Sequence, residues 1–456
     1  MAAKEKEGKS SRTVDATPTK GLFIRMLTRD IALIPSIIDL VDNCADGARR
    51  IRGDRSYKGL WARIEISSNQ FRLADNCGGI SVDVARQYAF RIGRAQGAPS
   101  VKHSIGEFGV GMKRAIFKLG NYFRVESITN ASRFVIEEDI VEWSKKPEWE
   151  YEFSELEEDK RFNRDEQGTI ITVTDLYDSV DQQFALDTFL SELKEELKVK
   201  LRCPISSGLA ITVNGLPVDA EPLHMLRSKD LAPAYTELVF QERGRKSVKA
   251  RLYCGLAASN DPNRVREEAG WHVICNGRLI LEGDKTSATG WGNDADDLSI
   301  PGFHGQFNSL RGYAYFDSDD PGRLPWNTTK TGLNMDSPVY RAVRLHMKRM
   351  MRPVVDFLNK LKDEKSEREA GKQPGPLEAF ISSAKPMDLH KIQKRPTFKA
   401  PTVRSKGGEK GPVLQRIQYD KPKNVVLEVK RVLKASSYKE VGAKTFDYFY
   451  NAEVAE

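Results

Sequence analysis

Apolar residues recur at helical spacing through residues 31–50, IALIPSIIDLVDNCADGARR, and split that stretch into two faces. At about 100° per residue, Ile37, Val41, Cys44, Ala45 and Ala48 form one stripe. Asp39, Asn43 and Asp46 gather within a narrow arc opposite. Pro35 suits the first turn, where its missing N–H has no partner to lose. β-rich composition then predicts strands over 61–68, 71–73, 122–128, 134–138 and 169–174, with a helix over 112–119. The wholly polar run 159–167 predicts a surface loop. A helix from 182 to about 201 leads into a second region. There AITVNGLPV and HVICNGRLIL each set Asn-Gly between β-rich runs, the composition that a type I′ hairpin turn wants. Residues 302–326 continue the strand-and-turn pattern. A long helix over about 337–365 carries Val343, Leu345, Met347, Met351, Val354, Phe357, Leu358 and Leu361 at helical spacing. Near the end, Val425, Val426, Val429, Val432 and Leu433 repeat that spacing before an aromatic cluster of Phe446, Tyr448, Phe449 and Tyr450.

With 456 residues, 39% hydrophobic and 30% charged, the chain is long enough for two or three domains and reads as soluble. No run approaches the roughly 18 apolar residues a membrane helix needs. The polar opening residues lack the apolar segment of a secretory signal. The five cysteines (44, 77, 203, 254 and 275) show no CxxC pair, which argues against a zinc site or disulfide framework and for a reducing cytoplasm. Between Lys385 and Lys434, fourteen basic residues face four acidic ones, a net +10, whereas the whole chain carries +8. That stretch contains PTFKAPTVRSKGGEKGP, a Pro/Gly/Lys linker without apolar periodicity. A flexible basic linker points to nucleic acid or another polyanion, a solubilising tail being the alternative.

Three polar features carry chemistry. Asp39 and Asn43, one turn apart, can share a hydrated Mg²⁺ and a water, although a solvated helix face gives the same pattern. LADNCGGI (73–80) places Asp75 just past a strand and before Gly78 and Gly79, where a carboxylate can meet a flat ring as the backbone turns away. IGEFGVGMK (105–113) sets Gly106, Gly109 and Gly111 before a helix, an arrangement able to form an anion nest. GTIITV (168–173) adds the hydroxyl of Thr169 on a strand.

In this order and spacing, these four stretches resemble the GHKL superfamily of gyrase B, the heat-shock chaperone ATPases, histidine kinases and MutL, over roughly residues 20–180. The nearer resemblance is to the MORC-like ATPase module. It implies an α/β (α+β) fold: a GHKL-type ATP-binding α/β sandwich, then a transducer-like α/β domain, then a small helical C-terminal segment. The implied layout is a disordered arm (1–18), the ATP-binding domain (19–180), a connecting helix (181–203), the transducer-like domain (204–365), a basic Pro/Gly linker (366–423) and a helical module (424–456).

The same resemblance implies site roles. Asp39 takes the general-base position, Asn43 the Mg²⁺-ligand position and Asp75 the adenine-reading position, with Asp46, Gly79 and Thr169 at the nucleotide. Gly106, Gly109, Val110, Gly111, Met112 and Lys113 lie on the phosphate side of a lid, residues 88–113, that also holds Arg91, Arg94 and Lys102. Lys330, in LPWNTTKTG, takes the position of a transducer cation that reaches the γ-phosphate, with Arg323 the alternative. The implied activity is slow ATP hydrolysis with Mg²⁺ by a cytoplasmic, non-membrane protein. ATP would dimerise it as a clamp, on DNA through residues 385–434.

Two positions depart from the family pattern. The usual Glu base is Asp39, shorter by about 1.5 Å, and Cys77 replaces the first Gly of the DxGxG pattern. A nucleotide-gated scaffold with little hydrolysis, or a chaperone-type ATPase on protein clients, therefore stays open. A histidine kinase fits less well, since none of the six histidines lies on a convincing phosphoacceptor helix before the domain.

Overall fold

Thr19 starts the first helix, its hydroxyl accepting the Leu22 N–H at 3.3 Å ahead of α1 (Lys20–Arg29). The computed structural model describes residues 18–53, 55–91, 93, 102–106, 109–219, 223–257, 262–292, 298–366, 375–392, 394–401, 417 and 420–454. Contacts divide the chain into Met1–Thr402 and Val403–Glu456.

In the larger unit, α2 (Leu33–Arg52) carries the expected stripe, with Ile37, Val41, Cys44, Ala45 and Ala48 all buried. The hairpin β1 (Trp61–Ser67) and β2 (Gln70–Asp75) follows, its inward positions Ala62, Ile64, Phe71 and Leu73 set by period-two alternation. A short helix α3 (Val82–Val84) runs into a π-helical turn, Ala85–Ala89. Then come α4 (Gly111–Leu119), β3 (Gly120–Ile128), β4 (Ser132–Asp139), α5 (Ile140–Lys145), β5 (Phe153–Glu158) and β6 (Gly168–Leu176). The polar run 159–167 joins β5 to β6 on the surface, as expected.

The helix expected over 182–201 is two helices, α6 (Asp178–Phe184) and α7 (Asp187–Lys200), followed by α8 (Arg202–Ser206). The break lets Phe184 and Phe189 both turn inward, their rings 5.3 Å apart. After it, β7 (Ala210–Val213) and β8 (Leu216–Pro217) return to the first sheet. Among the described residues the strand order is β5-β4-β3-β6-β2-β1-β7-β8, antiparallel throughout except for the parallel β1–β7 pair. Helices α2 and α4 pack together beneath it, so the architecture is a two-layer α/β sandwich.

A second sheet follows β9 (His224–Arg227). It is built from β10 (Ala234–Phe240), β11 (Val248–Leu256), β12 (Gly270–Cys275), β13 (Arg278–Asp284) and β14 (Leu310–Ser318), in the order β10-β11-β14-β12-β13, with α9 (Pro262–Glu267) between β11 and β12. Both Asn-Gly turns form. Asn214 and Gly215 have φ of +48° and +77°, and Asn276 and Gly277 have +47° and +83°. The long helix is α10 (Pro338–Ser366), packed across this sheet through Val343, Met347, Met351, Val354 and Leu358, while Leu345 points outward at 40% exposure.

The stretch read as an unstructured linker holds two elements. Helix α11 (Pro376–Ser383) buries Leu377 near α10, and β15 (Lys385–Asp388) pairs with β9. Sparse apolar residues (Leu377, Met387 and Leu389) suffice because a partner surface already exists. In the smaller unit, α12 (Lys423–Val432) and α13 (Tyr438–Glu453) form a helical pair that leaves Val425, Val432, Phe446, Tyr448, Phe449 and Tyr450 exposed. No helix among the described residues is long and apolar enough to cross a membrane.

Candidate functional site

Between α2, β2, β6 and the N-terminus of α4 lies a cavity of about 350 Å³, within the range of small-molecule sites. Asp39, Asn43, Asp46, Asp75, Gly79, Gly106, Gly109, Val110, Gly111, Met112, Lys113, Thr169 and Lys330 all line it. Residues scattered over nearly 300 positions of sequence are therefore brought to one place. Arg323, the alternative to Lys330, is not: its guanidinium holds the Lys246 carbonyl and Glu242. Arg94, with the rest of 94–101, and residues 107–108 lie outside the described residues.

One end of the cavity is built on Asp75, the last residue of β2 and the partner of Thr169 across β6. Its Oδ1 accepts the Cys77 N–H at 2.7 Å, and its Oδ2 accepts the Cys44 thiol at 3.5 Å. Burial raises its pKa from 3.8 to about 6, against these donors. Thr169 meets the Ser127 hydroxyl at 2.9 Å. Gly79, at φ +66°, passes so close to β3 that a Cβ would stand 2.1 Å from the Ile128 carbonyl oxygen. Cys77 is accommodated because its neighbour on α2 is Gly47, where a Cβ would lie 2.9 Å from the Cys77 Cβ. Arg50 secures this loop by donating to the Gly79 carbonyl at 2.6 Å.

The other end is charged. Asp39 is 2% exposed, which rules out the alternative of a solvated helix face for it; the arc runs from buried Asp39 through half-buried Asp46 to exposed Asn43. Arg114, on the first turn of α4, grips Asp39 Oδ2. Lys330 Nζ comes from the second region to within 3.7 Å of Asp39 Oδ1 and 3.0 Å of Asp42 Oδ2. Burial lowers the Lys330 pKa, but Asp42 and Asp39 outweigh it and hold the ammonium above its ordinary range. Lys330 has φ +54°, a left-handed backbone uncommon outside glycine and asparagine. Arg278 Nε lies 3.7 Å from Asp42 Oδ1.

Two expected nucleotide residues serve the protein's own backbone. The Asp46 carboxylate accepts the Ile105 N–H at 2.7 and 3.0 Å and the Gly106 N–H at 2.8 Å, fixing residues 105–106 at the edge of the cavity. Burial raises its pKa. Lys113 donates to the Ala89 carbonyl at 2.8 Å, closing the π-helical turn whose Tyr88 and Ala89 line the cavity; burial lowers its pKa to about 8.

The sequence reading missed Asp42, Arg114, Arg278, Arg50 and Tyr88. A local signal existed only for Asp42, an acid three residues after Asp39 on the same helix. Arg50, Arg114 and Arg278 are cations whose partners lie far away in sequence, and Tyr88 reaches the cavity only through the π-helical turn.

A two-layer sandwich with a carboxylate-and-amide helix, a β-end aspartate and a glycine-rich helix start is a nucleotide-binding architecture. Residues 33–169 match the family model of the histidine kinase-, DNA gyrase B- and HSP90-like ATPases, which supports a GHKL-type ATP-binding domain spanning α2 to the start of β6. Among curated proteins, none matches the chain.

Proposed function

We propose that this protein is a Mg²⁺-dependent, MORC- or MutL-like ATPase that hydrolyses ATP slowly. Lid closure and ATP-driven dimerisation make it a clamp on DNA. The reading is carried by one observation: Asp39, Asn43 and Asp75, inside the region that matches the family, face the same cavity as Lys330, which comes from outside that region. Asp75 accepts from the adenine amino group, beside Thr169. The N-terminus of α4, with Gly109 and Gly111, offers N–H groups to the phosphates. Asp39 takes the proton of the attacking water, and Arg114 fixes its carboxylate on one side. Lys330 transfers part of its pairing from Asp42 to the γ-phosphate, which ADP lacks.

Asn43 suits Mg²⁺ because it presents an exposed side-chain oxygen to the cavity. No cluster of three His, Cys, Asp or Glu forms a metal cage among the described residues, and Mg²⁺ characteristically takes few protein ligands alongside phosphates. When bound, Mg²⁺ supplies charge neutralisation on the phosphate oxygens.

DNA contacts are assigned to residues 385–434, with weight towards its second half. Near β15, Lys391 pairs with Asp388 at 2.7 Å, Lys399 lies 3.7 Å from Asp230, and Lys394 lies 3.9 Å from Glu237.

One observation favours a second reading, a nucleotide-gated scaffold with little hydrolysis: Asp39 already holds two cations. ATPase assays with and without DNA, beside light scattering, separate the two. The clamp requires a monomer without nucleotide or with ADP, and a dimer with a non-hydrolysable ATP analogue and Mg²⁺. One mass in every nucleotide state overturns it.

A further inference from the structure

The β12–β13 turn touches the first domain at a place remote from Lys330 in sequence. Asn276, 1% exposed, adopts the left-handed conformation that the turn requires, yet its side chain is not spent on the turn. The amide nitrogen donates to the Ser104 carbonyl at 2.8 Å and to the Ser318 carbonyl at 3.0 Å, and Oδ1 accepts the Ser318 N–H at 3.0 Å. Its backbone carbonyl accepts from Arg49 of α2 at 3.0 Å. Arg49 also donates to the carbonyl of His103. Asn276 thus uses both amide donors and its acceptor, two of the three bonds on Ser318 of its own sheet and one on Ser104 of the neighbouring domain.

Ser104 immediately precedes Ile105 and Gly106, the residues whose N–H groups Asp46 holds. This segment is therefore gripped from two sides, by α2 through Asp46 and by the second sheet through Asn276. A displacement of the segment by about 1 Å breaks the 2.8 Å bond and strands a buried donor unless the turn follows. A turn asparagine needs no such partner, and ordinarily faces solvent.

We infer that Asn276 is a positioning residue that couples residues 102–106, at the edge of the cavity, to the second domain, so that seating of this segment and of the β12–β13 hairpin are one transition. This rests on the ATP reading of the cavity. The Ser104–Asn276–Ser318 chain is a second coupling route, distinct from Lys330, and it acts on this segment rather than on the phosphate. Both nucleotide and the second domain then bias the same element, which is what coupling between sites physically requires.

Hydrogen–deuterium exchange on the full chain tests it, with Asn276→Gly and Asn276→Asp. Glycine keeps the left-handed turn and removes the amide. Aspartate keeps the shape and the acceptor for Ser318 N–H but sets an oxygen against two carbonyls. Without nucleotide, residues 102–106 should exchange about tenfold faster in Asn276→Gly, and faster still in Asn276→Asp, while α2, β12 and β14, apart from Ser318 whose N–H Asn276 itself holds, stay within about twofold. With a non-hydrolysable ATP analogue and Mg²⁺, the wild type should gain protection at both 102–111 and 270–284, and Asn276→Gly only at the former. Unchanged exchange at 102–106 in both variants overturns the inference. So does a uniform rise across β12 and β14, which means Asn276 braces only its own hairpin. If the analogue protects nothing in the wild type, the ATP reading fails, and the nucleotide-free comparison still decides the role of Asn276.

Discussion

Lys330 stands 3.0 Å from Asp42, across 288 positions of sequence, and both side chains are buried. Removing one partner of a buried pair leaves an uncompensated charge, at a cost of about 3–5 kcal/mol. Lys330→Met should therefore lower the midpoint of thermal unfolding, and adding Asp42→Asn should recover part of the loss. Additive losses in the double-mutant cycle count against the pair. Nucleotide should still bind Lys330→Met, but the ATP analogue should no longer be preferred over ADP.

Asp39→Asn should keep ATP binding and reduce turnover by about 10²-fold or more, the low end for a general base. Arg114→Met should also lower turnover with nucleotide affinity retained, because Arg114 touches Asp39 and not the adenine end. Steady-state rates beside equilibrium nucleotide binding check both. Wild-type turnover in Asp39→Asn removes Asp39 from the base role.

Asp75 titrates near pH 6 because burial disfavours its charge. The carboxylate accepts a hydrogen bond from an amino group more strongly than the protonated acid does, so affinity for adenosine should rise with pH and level off above about 6. Adenosine avoids the titrating phosphates of ATP. The slope below that point should approach tenfold per pH unit, and Asp75→Asn should flatten it. For folding the sign is opposite. The native state binds the proton more tightly than the unfolded chain, so this group's contribution to stability is fully present below about pH 4 and is lost as pH rises to about 6.

Deleting residues 403–456 should weaken DNA binding and flatten its dependence on salt, because the nine basic residues between Arg404 and Lys434 go with it. Cutting at 403 rather than 385 spares β15, which pairs with β9. ATP binding should survive. An unchanged slope of log affinity against log salt places the contacts elsewhere.

What could be read from the sequence was what depends on near neighbours. The buried stripe of α2 follows from spacing alone, and Asn214-Gly215 and Asn276-Gly277 reveal their turns because few other residues tolerate that backbone. The thirteen cavity residues were reachable because each sits in a short motif. Arg114 and Arg278 were not, since a buried cation is explained only by the distant carboxylate it meets. The break between α6 and α7 was hidden because the amphipathic pattern runs across it, and only the packing of Phe184 against Phe189 demands it. Strand β15 escaped notice because so little of its stability is its own: β9 supplies the template.

The parallel pairing of β7 with β1 decides where this protein can be cut. A piece ending near residue 180 keeps α2 and the cavity walls apart from Thr328 and Lys330, but leaves one whole side of β1 without partners. Ile66 loses both bonds to the Asn214 side chain, at 2.8 and 3.0 Å, and the Leu60 carbonyl loses the Ala210 N–H at 3.0 Å. A bare strand of that kind recruits other chains. On the ribosome the same edge waits until α6, α7 and α8 have emerged. The shortest ATP-binding piece that stays monodisperse should therefore reach past Val218, whose N–H closes the β7–β8 hairpin on the Ile211 carbonyl at 2.9 Å.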